Sequence, residues 1–354
     1  MKINPTSVVV ALSGGVDSAV AAASLKMAGW EVCGLHFLLP APHTRAKARI
    51  NRAERLANHL EIPLHVLDLR EIFSRQVIDP FVDAYLNGLT PNPCVLCNQL
   101  IKFEYLIHYA KQHEIDYIAT GHYARVKKGF KNPYCELYRG ADRRKEQSYF
   151  LHRLNQSFLL RAIFPLGESK KDEVRKHALE TGLPVNNIVE SQEICFIPEN
   201  DYRSFVEKKK GHDVNKPGNI TDSDGQIRGQ HTGTFRYTIG QRQGLGIASS
   251  RPWYVKEIRP QTNEVVIARK DALYSTRVEA EEFNWIREVP PSKVMKAQAQ
   301  IRYRHKPALG QLEVISSDKV KFIFDEPQWA ITPGQALVCY EGERVLGGGW
   351  VRKA

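Results

Sequence analysis

Apolar and polar positions along the first 120 residues repeat in a way that names their elements. "SVVVAL" (7–12) is a short unbroken apolar run, as expected of a strand buried on both faces. "SAVAAASLKMAG" (18–29) follows with helical spacing and Gly29 at its end. Then come strand "EVCGLHF", an Arg-rich helix around Ala46 to Leu60, strand "LHVLDL", helix "FEYLIHYAKQH" and strand "DYIATGH". Such alternation predicts an α/β fold with a doubly wound parallel sheet, whose ligands lie in loops at the carboxyl ends of the strands. "SKKDEVRKHALETGLP" predicts a further helix, capped by Ser169 with Asp172 three residues on and closed by Gly182 and Pro184.

Near residue 200 the pattern changes. "GNITDSDGQIRGQHTGT" is turn-rich, and from Arg251 onward short strands alternate: "EVVIARK", "KAQAQIRYRH", "GQLEVIS" and "KVKFIFDE". Lys319, Val320, Lys321 and Phe322 alternate polar and apolar, which predicts a small β-barrel or sandwich. With 354 residues, two or three domains are expected. The division read from the pattern is 1–198, a small central domain over 199–260 and a C-terminal barrel over 261–354. No apolar stretch nears the roughly 18 residues of a membrane span, and Gly and Asp follow the first apolar run where a signal peptide would have its cleavage site. A cytoplasmic protein with no membrane partner is expected.

Charge changes the picture. Lys and Arg number 50 against 39 acidic residues, for a net charge of +11. Arg125, Lys127, Lys128 and Lys131 form one stretch without an acid. Lys293, Lys296, Arg302, Arg304 and Lys306 form another, with Tyr303 and His305 interleaved. A solvated basic face would look similar, but the clustering favours a nucleic-acid partner.

Two places carry candidate chemistry. The first strand runs into "ALSGGVDSA" (11–19) and then a helix. Gly14 and Gly15 let backbone N–H groups converge, Ser13 and Ser18 add hydroxyls, and the helix N-terminus adds its positive end, so the loop is an anion nest. It has neither the Walker G-x-x-x-x-G-K-[ST] nor G-x-G-x-x-G, which argues against kinases and dinucleotide enzymes. Asp17 in such a loop would repel phosphate unless Mg²⁺ mediates, so Asp17 is expected to work with that ion. The second place is "TPNPCVLCN" (90–98), read as a loop stiffened by Pro91 and Pro93. Its Cys94 and Cys97 form a C-x-x-C pair, which in a reducing compartment reads as metal-binding or redox-active. Of the six cysteines, Cys33, Cys135 and Cys339 read as core residues. Cys195 in "SQEICFIPENDYRSF" would by itself also read as structural.

The loop resembles the PP-loop of ATP pyrophosphatases, which adenylate a substrate and release pyrophosphate. "ALSGGVDSAVAA", "TPNPCVLCNQLIKFEYL", "DYIATGHYAR", "EQSYFLHRL", "FPLGESKKDEVR", "SQEICFIPENDYRSF", "YTIGQRQGLGI", "IRYRHKP" and "FDEPQWAITPGQALVCYEGERVLGGGW" occur in this order. By these motifs, which span nearly the whole chain, it resembles the bacterial tRNA-specific 2-thiouridylases, which replace the C2 oxygen of the wobble uridine with sulfur. The resemblance implies a PP-loop domain, a small central domain and a barrel that helps hold tRNA. It makes Ala11, Leu12, Ser13, Gly14, Gly15, Val16, Asp17 and Ser18 the ATP phosphate loop, with Phe37 and Gly121 also at the nucleotide. Asn92, Pro93 and Cys94 fall beside the target base, and His122, Lys145, Glu146, Gln147, Arg302, Tyr303 and Gln335 fall at tRNA-contacting positions. Cys97 matches the catalytic cysteine and Cys195 the persulfide carrier, with a transient disulfide between them.

The chemistry explains the set. The uracil C2 carbonyl is a poor electrophile, adenylation turns its oxygen into a leaving group, and a persulfide then supplies sulfur. ATP, Mg²⁺, the anticodon arm of tRNA and a sulfur donor protein (a cysteine desulfurase or a relay carrier) are the implied cofactors and partners. The wobble base must be splayed out of its stack to react. Many members have Asp where this chain has Cys94, so Cys94, Cys97 and Cys195 together could ligate a [4Fe–4S] cluster with one open iron. That expectation stands beside a plain persulfide cycle, and a zinc site would lack its fourth ligand. "LLPAPHTRAKARI", after Phe37, also lacks an acidic, cysteine-containing segment common in the family. The rival readings are another adenylating PP-loop enzyme, such as one resembling lysidine synthetase, and a catalytically silent tRNA-binding protein.

Overall fold

A computed structural model describes residues 6–128, 133–185 and 194–353. Lys131, Gln192 and Glu193 lie outside the described residues. The first unit is a five-stranded sheet of β1 (Ser7–Ala11), β2 (Glu31–Leu38), β3 (Leu64–Asp68), β4 (Tyr117–Ala119) and β7 (Ala162–Ile163). Its order is β3-β2-β1-β4-β7 and every pairing is parallel. Val8, Val9 and Val10 of the central strand are fully buried, because helices cover both faces. α1 (Val16–Met27) and α2 (His43–His59) are the crossovers to β2 and β3. The strand order reverses between β1 and β4, and a sheet of this kind opens its ligand crevice at that point.

Residues 93–112 form one helical run rather than the loop expected for the first part of it. Cys94 lies on its opening turn, with Pro93 at the start where a missing N–H costs nothing. Over Cys97–Phe103 the run widens to π geometry. A second helical run over 70–86, also containing a π turn, went unread in the sequence. The Lys171–Glu180 helix begins one residue later than a Ser169 cap would set it. Its start is closed by the Lys170 N–H donating to Glu173 Oε2 at 2.7 Å.

The middle sheet has the order β10-β11-β8-β9, where β8 is Gly218–Asp222, β9 Ile227–His231, β10 Tyr254–Arg259 and β11 Glu264–Ala268. β11 pairs with both β8 and β10, so "EVVIARK" belongs here and not to the barrel that follows. The barrel comprises β12 (Tyr274–Trp285), β13 (Val294–Gln300), β14 (Ala308–Val314), β15 (Val320–Trp329), β16 (Ala336–Glu341) and β17 (Arg344–Lys353). It closes by β12 pairing with β17, which removes its open edges. The hairpin of β5 (Ala124–Lys128) and β6 (Cys135–Arg139) extends this sheet past β17, tying the first unit to the barrel. "KAQAQIRYRH" is a strand only to Gln300. There the chain turns, and the Gln300 side-chain amide donates to the carbonyls of Arg302 and Tyr303. No helix among the described residues is long and apolar enough to cross a membrane.

Candidate functional site

The phosphate loop is built as its sequence suggests. Ser18 Oγ accepts from the Ser13 N–H at 3.2 Å and donates to the Gly15 carbonyl at 3.0 Å, so the hydroxyl staples the turn onto α1. Gly14 has φ +75°, a conformation that side chains strain to reach. Asp17 is held from two sides: Lys171 Nζ donates to its Oδ1 at 2.6 Å and the Tyr123 hydroxyl at 2.8 Å. Lys171 is 3% exposed, so a buried cation answers the loop's carboxylate. The sequence reading missed Lys171 because "SKKDEVR" carries a helix signal that hides a residue reaching back to the loop. Gly121 closes the crevice, since a Cβ there would stand 2.8 Å from the Asp17 backbone carbon. The β4 exit therefore packs directly on the start of α1.

The thiols gather on the other side of this crevice. Cys97 is buried in an apolar cluster with Phe73, Phe81 and Phe196, and the half-buried Cys195 and Phe37 pack against the same cluster. Phe37, at the end of β2, thus packs with the cysteines. Cys94 is solvent-exposed, yet burial still pushes its thiol up to about 11. The side chain is open to solvent on one side and crowded by protein on the others. Burial pushes Cys97 up to about 12. The Lys102 cation pulls both thiols down, while the proximity of Cys195 pushes both up, so the three sulfurs and the lysine share one electrostatic neighbourhood. Lys102 is a second residue the sequence hid. It lies five residues beyond Cys97, off the face of an ordinary helix, but i→i+5 is the spacing of a π turn. Its Nζ donates to Asn98 Oδ1 at 3.0 Å, and Asn98 Nδ2 donates to the Phe150 carbonyl at 3.2 Å.

His122 is buried beside Phe103 and Phe164, with Nδ1 2.8 Å from Thr120 Oγ1. Burial, then Lys102, holds its imidazole neutral. Asn92 lies within hydrogen-bonding reach of the Tyr149 hydroxyl, and Pro93 is buried. From the barrel, Tyr303 packs at a tilt on Phe150 with ring centroids 4.3 Å apart, and burial, with smaller effects from Glu146, Arg304 and Cys94, pushes its phenol up. Gln335 Nε2 donates to the Thr90 carbonyl at 2.8 Å, tying the barrel to the segment before Cys94. Arg302 lies over Trp329 and donates to the carbonyls of Trp329 and Ala330. Lys145 is half-buried. Glu146 is buried and accepts from the Ser148 N–H, and Gln147 Oε1 accepts from the Tyr123 N–H, so these two brace the loop that follows β6.

Among the described residues, no group of three His, Cys, Asp or Glu side chains is arranged to hold a metal ion. Cys94, Cys97 and Cys195 are neighbours but do not form a ligand set, so they do not fit the cluster expectation. Mg²⁺ commonly binds through one or two carboxylates plus substrate phosphates, and Asp17 at the phosphate loop fits that smaller demand.

Three family models match the chain: one described as a tRNA methyl transferase HUP domain over residues 6–199, one as a tRNA methyl transferase PRC-barrel domain over 203–269, and one as an aminomethyltransferase beta-barrel domain over 275–351. The tRNA-specific 2-thiouridylase MnmA of Carboxydothermus hydrogenoformans is 47% identical over 363 residues, covering 99% of this chain and 99% of that one. The protein of the same name from Syntrophotalea carbinolica is 45% identical over 357 residues, covering 99% of this chain and all of that one.

Proposed function

The chain belongs to the tRNA-specific 2-thiouridylase family, and from that premise we propose how its residues carry out ATP-dependent thiolation of tRNA. ATP lies on the loop from Ala11 to Ser18, with Phe37 and Gly121 against the adenosine side. The anticodon arm rests on the barrel and the β5–β6 hairpin, and the wobble uridine enters over the exposed Cys94, beside Asn92, Pro93, His122 and Tyr303. Lys293, Lys296, Arg304 and Lys306 are exposed and suit a phosphate backbone.

The uracil O2 attacks the α-phosphorus of ATP, an O–P bond forms, and pyrophosphate leaves with the electron pair of the broken P–O bond. Mg²⁺ beside Asp17 would neutralise phosphate charge. Cys195 carries the incoming sulfur as a persulfide, whose outer sulfur attacks C2 and expels AMP. The Cys97 thiolate then attacks the inner sulfur, frees 2-thiouridine and leaves a Cys97–Cys195 disulfide, which an external dithiol reduces by two electrons. His122 is held neutral and so is a hydrogen-bond partner for the base rather than a charge. The observation that carries this reading is that Cys97, Cys195 and Phe37 share one packed cluster while the barrel, through Gln335 on the Thr90 carbonyl, is tied to the segment that leads into Cys94. A silent binder needs no such arrangement of thiols.

The test is to incubate the protein with ATP, a cysteine desulfurase with cysteine, and unmodified tRNA. AMP release and 2-thiouridine in the digested tRNA are expected, whereas AMP without thiolated base would point to another adenylating enzyme. An iron assay on anaerobically purified protein separates the two sulfur routes. Stoichiometric iron needed for turnover would overturn the persulfide route in favour of a cluster.

A further inference from the structure

The segment after β2 turns into α2, which carries Arg45, Lys47, Arg49, Arg52 and Arg55 against Glu54 alone. It does not merely cover the sheet. A Cβ on Gly14 would stand 3.0 Å from both the Arg49 carbonyl oxygen and Arg52 Cβ, so the middle turns of α2 touch the phosphate loop itself. The two arginines, together with Glu54, also act on His36, a buried β2 residue whose Nδ1 lies 2.7 Å from the carbonyl of Leu12, next to Ser13. The Arg52 side chain leaves the helix at the loop, and Arg49 lies one turn before it on the same face. Neither has an ion-pair partner among the described residues, and Arg52 Nε is buried without a hydrogen-bond acceptor. A buried guanidinium N–H with no acceptor is costly, and a nearby anion removes that cost.

The loop's own chemistry says which anion. It has no Walker lysine, and the charge of Lys171 is already spent on Asp17. We propose that Arg49 and Arg52 bind the β- and γ-phosphates of ATP and hold the pyrophosphate as it departs. This rests on the reading of the loop as the ATP site and adds the groups that meet the leaving group. When the uracil O2–P bond forms, the bond from the α-phosphorus to the α,β-bridging oxygen breaks. Its electron pair stays on pyrophosphate, and the two guanidinium groups on the helix beside the nest stabilise that growing charge. Contact with the backbone at Gly14 favours the nucleotide over RNA phosphates as their partner.

The test uses Arg49→Ala, Arg52→Ala, the double variant and Arg52→Lys in the full chain, with saturating tRNA. Three quantities are read: the KM for ATP in AMP release, the inhibition constant of added pyrophosphate, and tRNA affinity without ATP. Each alanine should raise the first two by about ten-fold, the double variant by more, and Arg52→Lys by less, since it keeps the charge but loses the fork. tRNA affinity should stay within about two-fold. Alanine suits a helix, and if Arg52→Ala still melts early, Arg52→Gln carries the test. Unchanged ATP and pyrophosphate constants would overturn the proposal, as would weakened tRNA binding with the ATP constants intact. A wild-type control that releases no AMP would instead sink the reading of the loop.

Discussion

At the residue scale the proposed sulfur chemistry hangs on two side chains. Cys97→Ser and Cys195→Ser should each abolish 2-thiouridine formation while tRNA affinity in filter binding stays within about two-fold, because neither change alters charge or the barrel surface. Normal turnover by either variant would remove that cysteine from the mechanism. Arg302, proposed to meet tRNA, already has a place in the barrel. Its guanidinium is tied to the Trp329 and Ala330 carbonyls, so Arg302→Ala should loosen the turn after β13 as well as weaken tRNA binding. If Arg302 also meets a phosphate, the slope of log affinity against log salt flattens by about 0.7 to 0.9, and a lower melting temperature with an unchanged slope would mean a purely structural role. The residues legible in the sequence were those inside compact motifs, such as Ser13, Gly14 and Cys97. Lys171 and Lys102 were not, because one acts across more than 150 residues of chain (from 17 to 171) and the other through a π turn that a 3.6-residue period does not reveal.

Periodicity served well at the element scale where one face is apolar, and poorly where helix geometry departs from regular. β1, α1 and β2 follow their patterns closely, whereas "TPNPCVLCN" read as a loop because its prolines and asparagines are turn formers. Here Pro93 starts a helix instead, which places Cys94 and Cys97 three residues apart on one helical run. The β4 exit gives the sharpest test of element packing. At Gly121 a new methyl would meet backbone at 2.8 Å, and backbone cannot swing aside as a side chain can. Gly121→Ala should therefore push the β4 exit away from α1 and raise the KM for ATP by about ten-fold or more, with the tRNA dissociation constant nearly unchanged. An ordinary KM would show that the crevice tolerates the shift.

Over the whole molecule, the units meet at buried polar contacts that no local pattern could announce. The Tyr149 hydroxyl donates to the Ala336 carbonyl at 3.0 Å and accepts from its N–H at 3.2 Å. Tyr149→Phe leaves both backbone groups unsatisfied and should cost about 1–3 kcal/mol in denaturant unfolding. His152 is fully buried beside it, and burial lowers its imidazole from 6.5 to about 3. The unfolded chain takes up that proton below about 6.5 and the folded chain does not until near 3, so folding stability falls as pH drops through this window, by about 1.4 kcal/mol per unit. Unfolding free energies measured from pH 7 to 4 should show this slope, and His152→Asn should remove one proton from it. Equal slopes in the two proteins would mean that His152 titrates normally. Finally, Thr90 donates its N–H to the Pro333 carbonyl at 2.9 Å and receives the Gln335 amide, while a Cβ on Gly334 would stand 2.9 Å from the Thr90 nitrogen. The barrel is for this reason no interchangeable module: a chimaera built to redirect the enzyme by importing a foreign barrel inherits working chemistry only if the graft also brings a small residue at 334 and an amide at 335.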